Sequence, residues 1–303
     1  MKICVLGCHR SGSGLIFDLL TKTNVCFDPF DGKEPLFLTN PGGVLDFYKI
    51  VYPFSAISVQ TAAYDRLCKS LRRWGRSTRV FNPGLGFDSS AVKYRETVDW
   101  FLGEIASLHL PFKSYHFTTL PRPIGQRLSR FERKLHTLAV PNLQFVSLVQ
   151  RFISRLVEYE GPIESAIAIN QGADFLMPYE SLALFGYQKI IRVIRDPVDH
   201  YFSLKKNKAI ENACQYIAFR QQIEDSLAAY PDSEDVLTFQ FEDIVINFRE
   251  SATRLAEFIG CDETLFFEYP IEESGSTIGL GYSTLHSDEI SFIRQALSNP
   301  RKH

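Results

Sequence analysis

The chain has 303 residues, 45% hydrophobic and 22% charged, with 33 Lys and Arg against 35 Asp and Glu for a formal net charge of −2. That is the composition of a globular protein with a sizeable core, and the charge balance argues against nucleic acid as the main partner. No apolar run approaches the roughly 20 residues that span a bilayer, and the six cysteines are scattered without a Cys-x-x-Cys pair, as in a reduced protein without structural zinc. The first residues already read as a strand, so a cytoplasmic protein with no leader and no transmembrane segment is expected.

Lys2–Leu6 is a short apolar, β-branched run, the pattern of a buried parallel strand. Gly7-Cys8-His9-Arg10-Ser11-Gly12-Ser13-Gly14 follows, and Leu15 opens an amphipathic helix. A strand, a glycine-rich turn and a helix N-terminus bring backbone N–H groups and the positive end of the helix dipole to one point. Arg10 and the Ser11 and Ser13 hydroxyls add side-chain donors. Gly7 and Gly12 have the spacing of a Walker loop, but Ser13 and Gly14 stand where that loop needs Lys and a magnesium-binding hydroxyl. The cation comes earlier, as Arg10.

This Arg-Ser-Gly-Ser loop resembles the 5′-phosphosulfate loop of sulfotransferases that use 3′-phosphoadenosine-5′-phosphosulfate (PAPS). The resemblance implies that residues Cys8 to Leu15 hold the 5′-phosphosulfate. Gly14 departs from it, because relatives carry a second Thr or Ser there.

Val25-Cys26-Phe27 is a second short strand candidate, ending in a Pro- and Gly-broken stretch with Asp28, Asp31 and Glu34. Such a loop lies at the carboxyl edge of an open α/β sheet, where ligands bind. In the carbohydrate and tyrosylprotein branches of the sulfotransferases a Glu at a similar distance is the general base. Glu34 is the closest match, ahead of Asp28 and Asp31.

Residues 36–60 are aromatic and irregular. Ser58 to Arg73 has helical spacing and carries part of a basic group with Arg66, Lys69, Arg72, Arg73, Arg76 and Arg79; Arg122, Arg127, Arg130, Arg133 and Lys134 form another. Such runs are mostly solvated helix faces, yet they would steer an anionic donor or acceptor. Tyr94 to Leu108 reads as a helix and Leu108 to Phe117 as extended. Lys113 and His116 there resemble the Lys-x-His strand of phenol and steroid sulfotransferases, one residue out of register, which makes His116 the second candidate base. Two helices are expected between Leu120 and Tyr159.

Ala166 to Ile169 reads as a strand ending at Asn170-Gln171-Gly172, and Tyr179 to Phe185 as a short helix. Relatives carry a lysine at the end of that strand, on the transferring sulfuryl group. Here Asn170 and Gln171 offer amides, or Lys113 takes that role. Lys189 to Ile194 is a strong strand running into Arg195-Asp196-Pro197, with Ser203 eight residues after Arg195. That offset resembles the 3′-phosphate motif of sulfotransferases. A forked guanidinium binds a phosphate bidentately, and a helix-borne hydroxyl adds a hydrogen bond.

Ile210 to Tyr230 is a long helix and Asp235 to Phe239 a last strand. The segment around Glu242 and the helix Phe248–Ile259 resemble structural parts of the family, with Glu242 as a cap or buried pair. The Gly- and Ser-rich tail 274–282 stands where relatives fold a segment over the nucleotide, without their Arg-Lys-Gly, and a final helix starts at Ser287.

The expectation is one domain over residues 1–303. It is a three-layer α/β/α sandwich with a parallel central sheet, the P-loop NTPase-like sulfotransferase fold, and a helical insertion at about 55–160. The resemblance implies PAPS as donor, no metal, and a small-molecule or glycan acceptor. A nucleotide kinase or NTPase, and a catalytically silent nucleotide- or glycan-binding protein, are the alternatives.

Overall fold

A computed structural model of the chain describes residues 1–53, 55–76, 86–90, 93–111, 135–158, 166–271 and 275–298. They fall into two compact units, Met1–Pro35 with Gly161–His303, and Leu36–Glu160.

The first unit begins with β1 (Lys2–Gly7) and α1 (Ser13–Lys22). The second holds the helices α2 (Val44–Val51), α3 (Ile57–Gly75), α4 (Phe87–Ser90) and α5 (Tyr94–Ile105), the antiparallel strands β2 (Ala106–Pro111) and β3 (Leu135–Ala139), and helix α6 (Asn142–Glu158). The chain then returns to the first unit with β4 (Ile167–Asn170), α7 (Pro178–Phe185), β5 (Lys189–Ile194), α8 (Pro197–Lys206), α9 (Ala213–Ala229) and β6 (Val236–Gln240). Helices α10 (Phe241–Ile246), α11 (Phe248–Ile259), α12 (Leu280–Thr284) and α13 (Ser287–Ser298) close it.

The sheet of the first unit is four-stranded, in the order β4-β1-β5-β6, and every pairing is parallel. Parallel strands are covered on both faces, which is why β1 reads as a continuous apolar run over Ile3–Leu6 and β5 as one interrupted only by the buried Arg192. On one face Ile3, Val5, Ile191, Val193, Leu237 and Phe239 pack with Ile16, Phe17 and Leu20 of α1 and Leu255 and Ile259 of α11. Cys4, Leu6, Ile190 and Ile194, on the other face, are equally buried, with α7 packed against β5. This is the expected three-layer α/β/α arrangement. The register sets Gly7 beside Val193, so the loop after β1 and the turn after β5 leave the sheet side by side at its carboxyl edge.

The expected strand at Val25–Phe27 shrinks to a single bridge from Phe27 to Ile167. Cys26 N–H is drawn back to Leu20 O of α1 at 2.9 Å. Immediately after, Asp28 folds its carboxylate onto Phe30 N–H at 2.9 Å and onto Gly32 N–H. Only Phe27 is left to pair.

The second unit has its own aromatic core. Phe101 and Phe152 stack at 4.4 Å between centroids, Phe37 meets Phe152 edge-on at 6.2 Å, and Arg155 lies over the Trp100 ring at 3.8 Å. Arg72, from the basic run, pairs with Asp99 at 3.1 Å with both side chains exposed, a contact that contributes little to stability. Residues 135–139, expected within a helical stretch, instead form β3 against β2. Leu and Ala favour a helix, so pairing with β2 rather than local propensity makes this run a strand.

Candidate functional site

The site is built on the turn between β1 and α1. His9 (φ 36°) and Arg10 (φ 56°) are both left-handed, as is Gly12 (φ 95°). For non-glycine residues this costs about 1–2 kcal/mol each, a strain found where the surrounding structure imposes the turn. The result is a ring of donors. Among the described residues, the backbone N–H groups of Arg10, Ser11, Gly12, Ser13 and Gly14 donate to no protein acceptor. They converge with the N-terminus of α1, whose cap is Gly12 and has no side-chain acceptor. Such an array binds a phosphate or sulfate-like group.

The Ser13 hydroxyl braces the loop from inside, and the Ser11 hydroxyl packs over Gly7. A Cβ on Gly7 would stand 2.2 Å from Ser11 Oγ and 2.6 Å from Ser13 Oγ, so only glycine fits beneath them. Ser11 Oγ is buried without a hydrogen-bond partner among the described residues. Gln171, left-handed at φ 56°, turns its amide into the same space. Its oxygen accepts from Ser13 Oγ at 2.9 Å and from Gly7 N–H at 3.2 Å, and its NH2 donates to Gly7 O at 3.2 Å. Gln171 thus ties the end of β4 to the loop, and its amide is spent on the protein. Asn170 Oδ1 is buried without a partner among the described residues.

The other predicted loop residues divide cleanly. Cys8 is buried and its thiol is pushed far up by desolvation, which keeps it protonated and unreactive. His9, Arg10 and Gly14 are exposed, and Leu15 packs against the sheet core while its N–H bonds Gly12 O at 3.0 Å. A Cβ on Gly12 would come 2.1 Å from the Phe241 ring, whereas one on Gly14 would meet nothing within 4 Å. Gly12→Ala is therefore expected to lose about 1–3 kcal/mol of stability. Gly14→Ser should be neutral or slightly stabilising, by about 0.5 kcal/mol at most. Thermal unfolding of the two variants checks both, and equal melting points would contradict this loop geometry.

Arg195 leaves β5 beside the loop. It is 8% exposed. Its Nη1 donates to Arg10 O at 3.4 Å and its Nη2 to Thr277 O at 2.6 Å. Nε lies 3.9 Å from Glu242 Oε1, is buried, and makes no hydrogen bond among the described residues. Glu242 accepts the Asp196 N–H through both oxygens, at 3.1 and 3.2 Å. Burial pushes its pKa up, against the pull of those bonds and of Arg195. Glu242 is thus a partly buried structural partner of the Asp196 turn. Ser203 is half-buried on α8, two turns beyond Arg195.

Two residues that pattern reading passed over complete the site. Asp199, 1% exposed, accepts Gly279 N–H at 2.6 Å and Gly281 N–H at 2.7 Å. With the bond from Tyr282 Oη to Asp196 Oδ2 at 3.0 Å, it lays the stretch 277–282 across Arg195. His200, also 1% exposed, places Nε2 2.8 Å from both Cys8 O and His9 O. The one signal that could have found them is their place on the helix that follows the Arg-Asp-Pro turn.

Glu34 is half-buried, and desolvation raises its pKa while the charge of His9 opposes the rise. Asp28 is committed to its own turn, and Asp31 is exposed. Lys113 and His116 lie outside the described residues.

No protein-family model matches the chain, and no curated protein matches it in sequence. Among solved structures, the chain is similar to the sulfotransferase domain from the Synechococcus PCC 7002 olefin synthase, at 15% identity over 98% of this chain and 94% of that one, with a TM-score of 0.47. A second is the sulfotransferase domain from the curacin biosynthetic pathway, at 15% identity over 98% and 96% of the two chains, with a TM-score of 0.44. At that distance the functional reading rests on the residues of the site.

Proposed function

We propose that the protein is a PAPS-dependent sulfotransferase that moves a sulfuryl group to a hydroxyl or amine of an acceptor, with a carbohydrate as the acceptor class. The observation that carries this reading is the meeting of two anion-binding elements. The Arg195 guanidinium touches the Arg10 carbonyl, so one ligand with phosphates at two positions can engage both. The loop's five N–H groups, which find no acceptor among the described residues, suit the 5′-phosphosulfate, and the second N–H of each Arg195 Nη, with the Ser203 hydroxyl, suits the 3′-phosphate. The residues present fit the donor.

In this reading the loop amides and Arg10 hold the phosphosulfate and neutralise the bridging oxygen as the S–O bond breaks. Glu34, with its raised pKa, takes the proton of the attacking hydroxyl. His116 is the second candidate base, and Lys113 a candidate cation for the sulfuryl oxygens. Catalysis is then mostly positioning and charge stabilisation. The carbohydrate assignment rests on the aromatic stretch 36–60 and the basic helices of the sequence.

A nucleotide kinase would want a lysine and a magnesium-binding hydroxyl at Ser13 and Gly14; Ser13 is turned inward onto Gln171 and Gly14 has no side chain. Calorimetric titration separates the readings. Binding of 3′-phosphoadenosine 5′-phosphate at least about tenfold tighter than ATP is expected, since the 3′-phosphate adds a charge-assisted contact. A preference for ATP, or no binding, refutes the proposal. A silent binding protein would bind the same nucleotide and transfer nothing from radiolabelled PAPS to a glycan panel.

A further inference from the structure

The left-handed turn at His9 and Arg10 carries two backbone carbonyls, those of Cys8 and His9, toward the first turn of α8. A single group meets both. His200, from the first turns of α8, sets its Nε2 2.8 Å from each oxygen. Two carbonyl oxygens accept only, so Nε2 must carry the ring proton. Nδ1 is buried without a partner among the described residues and is the bare nitrogen of that tautomer. The ring is held in place by Tyr216 edge-on at 5.7 Å and Phe219 at 6.2 Å. Burial, with the nearby Arg220 and Arg195 charges, brings the pKa down to about 4, so the ring is neutral at neutral pH.

We infer that His200 is the positioning residue of the anion loop: its Nε2–H, shared between Cys8 O and His9 O, locks the His9–Arg10 turn and so aims the loop amides and Arg10 at the ligand. The neighbouring Asp199 anchors the 279–281 backbone from the same helical turn, so α8 fixes the loop on one side and the stretch over Arg195 on the other. The inference rests on the sulfotransferase reading only for the identity of the ligand.

The test compares wild type, His200→Leu and His200→Gln, the last keeping a side-chain N–H at similar reach. In the ligand-free proteins, the backbone amide resonances of His9 to Ser13 should move in the Leu variant and stay near wild type in the Gln variant. Affinity for 3′-phosphoadenosine 5′-phosphate should fall about 30-fold in Leu and be restored to within about threefold in Gln. A Leu variant with unmoved loop resonances and unchanged affinity overturns the inference, as does a Gln variant that fails as badly as Leu. Should the Leu variant not fold, 15N spectra of the wild-type imidazole decide: a ring protonated at Nδ1, or doubly protonated at about pH 6, overturns it. Wild-type protein that binds no such nucleotide refutes the donor assignment instead, and the ligand-free resonances still decide the role of His200.

Discussion

Replacing Arg195 with alanine is expected to weaken binding of 3′-phosphoadenosine 5′-phosphate by about 100- to 1000-fold while changing the affinity for AMP by less than about tenfold. The first figure is the loss of a forked, charge-assisted contact to a phosphate in a partly desolvated site. The second is not set to zero for a structural reason. Arg195 also bonds Arg10 O and Thr277 O, so its removal loosens the loop and the stretch above it for any nucleotide. Arg195→Lys separates the two effects. An ammonium keeps the charge but cannot serve two carbonyls and a phosphate at once, so it should recover part of the affinity and leave the AMP figure depressed. Equal losses for the two nucleotides in Arg195→Ala would show that the residue is a strut only.

Glu34→Gln is expected to lower transfer by about 100- to 10,000-fold, the usual contribution of a positioned general base, with nucleotide affinity within a few-fold of wild type. It should also raise the melting temperature slightly at neutral pH. The sign follows from burial. A folded-state pKa above the unfolded one means that stability is fully present when the group is protonated, below its unfolded pKa, and is lost as pH rises through the raised value. The ionised carboxylate is therefore the destabilising form, and the amide removes that cost. If Glu34 is the base, the same raised pKa places the acid limb of kcat/KM for the wild-type protein above the range of an ordinary carboxylate, because the base must be ionised to act. Retained turnover in Glu34→Gln would pass the role of base to His116, and a lowered melting point would contradict the burial argument.

These two variants probe residues located by their resemblance to sulfotransferase motifs, and the remaining residues of the site show where reading motifs along the chain stops. Arg195 and the loop were legible because a buried strand followed by glycines or by Asp-Pro is a local signal; β5 and α11 occupy the expected ranges for the same reason. The direction in which a side chain points is not local. Ser13 and Gln171 look like donors to a ligand in the sequence, but 158 positions apart they turn to each other and to Gly7. Asp199 and His200 look like ordinary helix residues, yet both are 1% exposed and bind backbone from opposite ends of the chain.

Gly14 completes the contrast. Its sequence position suggests a lost hydroxyl; the structure has open space there and nothing that requires glycine, whereas Gly7 and Gly12 are required by the atoms above them. The parallel sheet, the glycine-rich turn after β1 and the Arg-Asp-Pro turn after β5 are legible along the chain, because apolar periodicity and turn chemistry act between near neighbours. Packing across the chain sets which polar groups hold the turn and which loop N–H groups are left without an acceptor among the described residues. Left-handed backbone and buried carbonyls must be satisfied by whatever group the packing brings to them, and here that group, His200, comes from a helix about 190 residues away.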